Sequence, residues 1–307
     1  MDLSIIIVSW NTRKLLDRCL ETVEEAIRTS DVEETEIFVV DNGSTDGSVG
    51  MLRGRPGVLR IIVNDENIGF ARANNQAIRR TSGRYILLLN PDTELGKDSI
   101  GAMIRFLENN PSVGAVGPRQ TNPDGSLQPS CFPLPTLPRE FWRLFHLDSI
   151  RAIASYPMQS WDHESPRQVE SLMGACLCLR REALDGVGLL DEDYFMYSEE
   201  IDLCYRLRTA GWTLFWVPAA VVAHHGGQST KQAQTQMFLH LYKSKILYFR
   251  KNGGGMRSVA YKFILIGASL ARLALAPIAW LQGRLGGPTG SRLASNYLQL
   301  LRSLPGM

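Results

Sequence analysis

Four groups of side chains in this sequence have types and spacing that could do chemistry. Asp41 ends the apolar run Ile37-Phe38-Val39-Val40 and opens the turn Asn42-Gly43-Ser44-Thr45-Asp46. A carboxylate there could accept a hydrogen bond from a nucleobase imide, with Gly43 allowing close approach, although Asp, Asn and Gly also stabilise turns that bind nothing. Asp92 follows Leu87-Leu88-Leu89-Asn90-Pro91 at the end of another apolar run. A lone carboxylate in that place could share a hard divalent cation, Mg2+ or Mn2+, with substrate phosphates, and the cation would stabilise a diphosphate leaving group. Alternatively Asp92 caps the helix after it, with Glu94 nearby. Glu199, Glu200 and Asp202 fall in the first turn of a helix read from Ser198. Acids are favoured there by the helix dipole and serine is a common N-cap, yet one carboxylate within reach of a hydroxyl could equally serve as general base. His224 and His225 follow a strand, and neighbours on an extended segment point to opposite sides, so only one can face a given cleft.

These groups need a scaffold that gathers strand ends. Short apolar, β-branched runs at Leu3–Ser9, Glu36–Asp41, Leu59–Val63, Arg84–Leu89 and Gly114–Gly117 alternate with helical patterns near Thr12–Arg28, Ser48–Arg53, Phe70–Arg80 and Asp98–Asn109. That alternation predicts a mainly parallel α/β sheet with helices on both faces. Each of the first four strands runs straight into a polar cluster: Ser9-Trp10-Asn11, Asp41 to Ser44, Asn64 to Asn67, and Asn90-Pro91-Asp92. Ligands bind outside the carboxyl ends of such strands, so the four clusters should line one cleft. Residues 120–168 lose this rhythm and gain seven prolines, which predicts an irregular surface excursion shaping an acceptor entrance. Beyond it come Val169–Arg180, the helix from Ser198, and two short strands, Leu214–Val217 and Ala220–Ala223.

Charge is distributed unevenly. All 31 acidic residues lie at or before Asp202, whereas residues 231–307 hold 11 of the 33 Lys and Arg. Phe263–Leu281 within that basic tail is apolar, which favours an anionic membrane surface over nucleic acid as its counterpart. Arg272 and Pro277 interrupt the run, so an interfacial helix pair is expected rather than a clean span. The five cysteines show no paired spacing and read as buried, reduced thiols. No basic region precedes Leu3–Val8, which is too short for a signal peptide; the catalytic part is therefore expected in the cytoplasm.

In combination the motifs resemble those of the family-two glycosyltransferases of GT-A fold, and especially their rhamnosyltransferase-like branch, over roughly residues 3–250. Ile5-Ile6-Ile7-Val8-Ser9-Trp10-Asn11 is similar to the family's opening strand, Val39 to Asp46 to its base-binding turn, and Asn67-Ile68-Gly69-Phe70-Ala71-Arg72-Ala73-Asn74-Asn75 to its ribose-side helix. The resemblance implies nucleotide-sugar contacts at Val8, Ser9, Asn11, Asp41, Ser44, Asn67, Gly69, Phe70, Asn74, Asn90 and Asp92. Asn90-Pro91-Asp92 stands where the family carries Asp-x-Asp, so Asn90 replaces the first acid and Asp92 remains as the strong cation ligand, with His224 of the late histidine loop completing the metal or diphosphate site. Phe195 to Leu203 resembles the second acidic motif: Glu200 stands where the family's base Asp lies, with Glu199 as the alternative base and a possible acceptor contact. Met173-Gly174-Ala175-Cys176 resembles the acceptor-side segment, Gly174 allowing close approach to a sugar.

The resemblance implies inverting transfer of a sugar, rhamnose from a thymidine-linked donor being one candidate, from a nucleoside diphosphate to a saccharide or lipid-linked saccharide in envelope polysaccharide synthesis. Together with the basic, apolar tail and the N-terminal strand, it leads to an expected location at the cytoplasmic face of a bacterial inner membrane, peripheral or C-terminally anchored. Residues 1–119 would form the nucleotide-sugar half, 120–230 the acceptor and catalytic half, and 231–307 a helical membrane-associating extension. The first turn lacks the G-x-G-x-x-G of a dinucleotide dehydrogenase. A catalytically inactive nucleotide-sugar-binding protein descended from a transferase is the other reading, and turnover separates the two.

Overall fold

The side chains of the first strand alternate between two apolar layers, and that alternation organises the fold. Ile5 and Ile7 join one buried cluster with Val39, Leu87 and Leu89, while Ile6 and Val8 join a second with Val40, Ile86 and Leu88. Such period-two burial on both faces requires helices above and below the sheet. The computed structural model describes residues 2–57, 59–227, 233–281 and 288–307. The expected boundary at residue 230 and the Gln228-Ser229 end of the late histidine loop lie outside the described residues.

In chain order the elements are β1 (Leu3–Ser9), α1 (Arg13–Arg28), β2 (Thr35–Asn42), α2 (Ser48–Gly54), β3 (Leu59–Asn64), α3 (Phe70–Ile78), β4 (Tyr85–Leu89), β5 (Thr93–Leu95), α4 (Ser99–Asn109), β6 (Val113–Thr121), β7 (Leu127–Gln128), β8 (Cys131–Phe132) and α5 (Leu137–Leu144). They continue with β9 (Arg167–Gln168), β10 (Ser171–Leu172), β11 (Cys176–Arg180), α6 (Arg181–Val187), α7 (Glu199–Thr209), β12 (Thr213–His224), α8 (Gln234–Leu281) and α9 (Pro288–Ser303). The main sheet runs β3-β2-β1-β4-β11-β6-β12-β5. Its first four strands are parallel, whereas β11 is inserted antiparallel between β4 and β6. Helices α1 and α4 supply Leu16, Leu20, Ile100 and Met103 to one apolar layer; α3 and α7 supply Ala73, Ala77, Leu203 and Leu207 to the other. All five cysteines are buried and free.

Besides adding β5, β7, β8, β9 and α6 to the expected elements, the structure departs from the sequence expectation at three places in the later part of the chain. The two strands expected at 214–217 and 220–223 are one strand, β12, with a register shift between Val217 and Val221. Pro218 lies in that interval and cannot donate to the ladder, so pairing is interrupted without ending the strand. The proline-rich excursion contains α5, because Thr136 caps it through Arg139 N and Pro138 falls in its first turn, where proline is tolerated. Regular structure expected over 169–180 is divided between β10 and β11, with Gly174 between them.

The chain divides into two compact units: one of residues 1–134, 156–195 and 199–232, the other of 135–155, 196–198 and 233–307. The second is helical. Gly254 (φ 81°, ψ 171°) breaks α8, and the arms on its two sides touch. Phe249 and Tyr261 stack at 4.7 Å, and Ser258 Oγ donates to Ile246 O at 3.3 Å. Although α8 is long and apolar enough to qualify as a membrane span on length and composition, it is a hairpin. Arg272, expected to disfavour insertion, has its guanidinium engaged within this unit: it donates to Leu144 O (2.6 Å) and lies 5.3 Å over the Tyr297 ring.

Candidate active site

The parallel strands place the four polar clusters on one sheet edge. At the end of β1, Asn11 takes a left-handed φ of 51°, a conformation asparagine tolerates better than most residues. In that pose its N–H donates to Ser44 Oγ (2.9 Å) and its Oδ1 accepts from Thr45 N (2.8 Å), tying the β1 end to the turn after β2. Asp41 is buried; its Oδ1 accepts from Ser44 N at 2.9 Å, and its Oδ2 has no hydrogen-bond partner. A buried carboxylate oxygen without a donor is costly, which makes Asp41 an acceptor suited to an incoming N–H. Gly43 (φ +80°) could not carry a side chain, because a Cβ would stand 2.8 Å from the Glu66 backbone.

An amide network fixes the neighbouring cluster. Asn42 Nδ2 donates to Asn67 Oδ1 (2.8 Å), Asn64 Nδ2 to Asn42 Oδ1 (3.1 Å), and Ile68 N to Asn42 Oδ1 (3.2 Å). Asn67 Oδ1 also accepts from Gly69 N. Phe70 N donates to Phe195 O at 2.7 Å, and a Cβ on Gly69 (φ +93°) would meet the same carbonyl at 2.7 Å. The segment 67–70 is thus held against Phe195, which leads to the second acidic motif. Val8, Ser9 and Asn74 are buried, and their side chains serve the scaffold: Val8 packs in the core, Ser9 Oγ pairs with Thr12 Oγ1, and Asn74 Nδ2 donates to Phe70 O.

Asn90-Pro91-Asp92 is flanked on both sides by later parts of the chain. Asn90 N donates to Ala175 O (2.9 Å), which sets Gly174 beside this segment. On the other side, β12 pairs with β5 so that His224 lies opposite Thr93. Asp92 Oδ1 is 3.4 Å from His224 Nε2, both side chains are buried, and that nitrogen has no hydrogen-bond partner. His225 turns the other way: its Nε2 is 2.8 Å from Glu94 Oε1, and Arg18 holds the second oxygen of Glu94 at 2.9 Å. The His225 hydrogen bond, followed by that of Arg18, holds the Glu94 carboxyl below its usual range despite partial burial. Among the described residues no three His, Cys, Asp or Glu side chains gather into a cation cage. The Asp92–His224 pair nevertheless fits a cation whose remaining ligands are phosphate oxygens and water.

The second acidic motif has a strained entrance. Tyr197 and Ser198 both have left-handed φ, 69° and 68°, each costing on the order of 1–3 kcal/mol for residues other than glycine. Ser198 therefore precedes α7 without the extended backbone usual for an N-cap. The three acids that follow divide by environment. Asp202 pairs with Arg206 (2.7 Å), whose guanidinium also binds the Val187, Gly188 and Leu189 carbonyls, so it belongs to the scaffold. Glu199 is 4% exposed, and burial, reinforced by the neighbouring Glu200 charge, pushes its carboxyl well above the usual range. Glu200 is less buried and lies against Gly174, where an added Cβ would stand 3.4 Å from Glu200 Cβ. The glycine expected on the acceptor side and the expected base are therefore neighbours.

A mixed sheet with polar strand-end turns, an acid–histidine pair beyond β4 and an acidic helix start defines a glycosyltransferase of the GT-A fold. The mannosyltransferase PcManGT of Pyrobaculum calidifontis, solved with GDP-Man and Mn2+, shares this fold (TM-score 0.58, 19% identity, 99% of this chain and 84% of that one). The family profile for glycosyl transferase family 2 matches residues 4–146, and that for glycosyl transferase family group 2 matches residues 85–286. The chain belongs to the family-two glycosyltransferases and is rhamnosyltransferase-like. It is 29% identical over 88% of its length to the N-acetylglucosaminyl-diphospho-decaprenol L-rhamnosyltransferase of Mycobacterium tuberculosis, covering 91% of that relative. It is 25% identical over 80% of its length to the rhamnosyltransferase WbbL of Escherichia coli, covering 92% of it. The protein is a glycosyltransferase, and the reading as an inactive binding protein is set aside.

Gln128, which bonds to His224, was not among the residues singled out from the sequence. It sits in the excursion where local pattern gave no signal, and a lone glutamine carries none.

Proposed function

We propose that the protein transfers a deoxyhexose, rhamnose from a thymidine diphosphate donor, with inversion, to a hydroxyl of a lipid-linked saccharide in cell-envelope polysaccharide synthesis. The observation that carries this reading is the buried Asp92–His224 pair at the edge where the strand-end turns converge. Similarity to rhamnosyltransferases supports the sugar, and the mycobacterial relative's lipid-linked substrate supports the acceptor class. In this reading Asp41 accepts the N–H of the base, Asn67, Gly69 and Phe70 border the ribose, and Asp92 and His224 hold a divalent cation, Mg2+ or Mn2+. Bound there, the cation would neutralise charge on the departing diphosphate. Glu200 takes the proton of the acceptor hydroxyl on the face of the sugar opposite the diphosphate. One base suffices for that chemistry.

Incubation with a panel of nucleotide sugars and either cation, with release of nucleoside diphosphate as readout, tests the donor. Asp92→Ala and His224→Ala are expected to lower cation-dependent turnover by about 10²–10³-fold, with His225→Ala affected less because His225 is committed to Glu94. Equal losses in both histidine variants, or chelator-resistant activity in Asp92→Ala, would reject the assignment.

We also infer that the helical unit attaches the enzyme to the cytoplasmic leaflet of a bacterial inner membrane. Met256 (89% exposed), Val259, Phe263 (68%) and Leu270 form an exposed apolar stripe at helical spacing, with Arg250, Lys251, Arg257 and Lys262 close by in sequence. Basic residues beside an anionic leaflet contribute about 1 kcal/mol each. Tyr261, Leu265 and Ala268 on the same arm are buried, so surface substitution tests the idea better than truncation. Phe263→Glu with Leu270→Glu is expected to release the protein from anionic vesicles in a sedimentation assay while donor binding persists. A wild-type protein that ignores such vesicles would end the membrane reading.

A further inference from the structure

The hydrogen bonds around Gln128 determine which nitrogen of His224 carries the proton. Gln128 lies on β7, the strand that returns from the β6 end through the Asn122–Ser126 turn and pairs with β6. Its Nε2 donates to Asn122 Oδ1 (2.9 Å) and to the main-chain carbonyl of His224 (3.2 Å), and its Oε1 stands 2.7 Å from His224 Nδ1. A main-chain carbonyl can only accept, so the amide nitrogen must face it and the amide oxygen must face the ring. That oxygen needs a donor, which puts a proton on Nδ1, so that in the neutral ring Nε2 keeps its lone pair. Nε2 is the buried atom without a hydrogen-bond partner, 3.4 Å from Asp92 Oδ1. In the neutral ring two acceptors then face one another and repel, and a metal cation lying against both would relieve that repulsion.

We propose that Gln128 is the positioning residue for the cation site: it holds His224 in the Nδ1–H tautomer and turns the Nε2 lone pair toward Asp92. The inference rests on the reading of Asp92 and His224 as cation ligands. Gln128 binds the imidazole and the backbone of the same residue, so it fixes both the protonated nitrogen and the ring direction. Groups that support a metal ligand in this way typically change affinity by about 10–100-fold when removed.

Long-range 15N–1H spectra of histidine-labelled wild-type protein should show the neutral His224 ring as Nδ1–H. A ring in the Nε2–H form would overturn the proposal without recourse to any variant. Free Mn2+ measured by electron paramagnetic resonance, with and without UDP or dTDP, gives the second readout. Gln128→Met, which keeps the length and loses both hydrogen-bonding functions, is expected to weaken Mn2+ binding about tenfold or more, to populate the Nε2–H form, and to leave nucleotide binding in chelator unchanged. If Asp92→Asn weakens Mn2+ binding and Gln128→Met does not, the role of Gln128 is refuted and the cation site stands. Mn2+ binding unaltered by Asp92→Asn would refute the site itself.

Discussion

Glu200→Gln is expected to lower kcat by about 10²–10⁴-fold, the range for loss of a general base, while nucleotide-sugar affinity is unchanged. The amide keeps the shape of the side chain beside Gly174 and cannot take a proton. Glu199→Gln is expected to keep most of the turnover and to alter stability instead. Burial and the Glu200 charge raise the Glu199 carboxyl well above its ordinary value of 4.5. In the unfolded chain Glu199 ionises near that ordinary value, whereas in the folded protein it stays protonated to higher pH. Folding stability is therefore lost as pH rises from the ordinary value toward the folded one. Glu199→Gln removes this dependence, so its thermal midpoint should exceed the wild type's at neutral and alkaline pH, with the difference vanishing in acid. Steady-state kinetics with thermal melts across pH check both statements, and a larger kcat loss in Glu199→Gln would move the base to that residue.

Lys245→Met is expected to destabilise the helical unit by about 3–5 kcal/mol, the usual cost of removing one member of a buried ion pair. Lys245 Nζ lies 2.8 and 3.0 Å from the two oxygens of Glu140, which also accepts from Arg143 and from Tyr261 OH (3.1 Å). Burial alone would raise the Glu140 carboxyl; Lys245 and Arg143 outweigh it and hold the carboxyl at about 2. The group thus contributes stability that is fully present above the ordinary 4.5 and is lost as pH falls toward 2. Urea unfolding should show the loss in Lys245→Met and a smaller one in Glu140→Leu with Lys245→Met, because the double variant leaves no buried carboxylate. Identical midpoints for Lys245→Met and wild type would mean that the pair contributes nothing to the unit.

The strands and helices of residues 3–109 were legible because their signals are local. Apolar residues in β1, β2 and β4 run to a polar turn, and each run starts and stops within a residue or two of its expected place. Helix α5 was hidden because prolines dominate its surroundings, and only the Thr136 cap and the position of Pro138 mark its start. The break at Gly254 was also hidden: glycine permits a left-handed φ without requiring it, and the decisive contacts, Phe249 with Tyr261 and Ser258 with Ile246, join the two arms only after the chain turns back.

Neighbouring residues alone place Asp41, Asp92, the acids of α7 and a histidine pair at the ends of elements, because strand and helix boundaries follow from local pattern. Local pattern alone left open which histidine faces Asp92 and how the three acids divide by environment, choices that only the family resemblance had suggested. Those choices depend on strand register: β12 lies against β5 with His224 opposite Thr93, so His224 approaches Asp92 and His225 falls to Glu94. They depend equally on burial, since packing encloses Glu199, Arg206 engages Asp202, and Glu200 is left beside Gly174. Register and burial are set by residues distant in the chain, which no local pattern encodes.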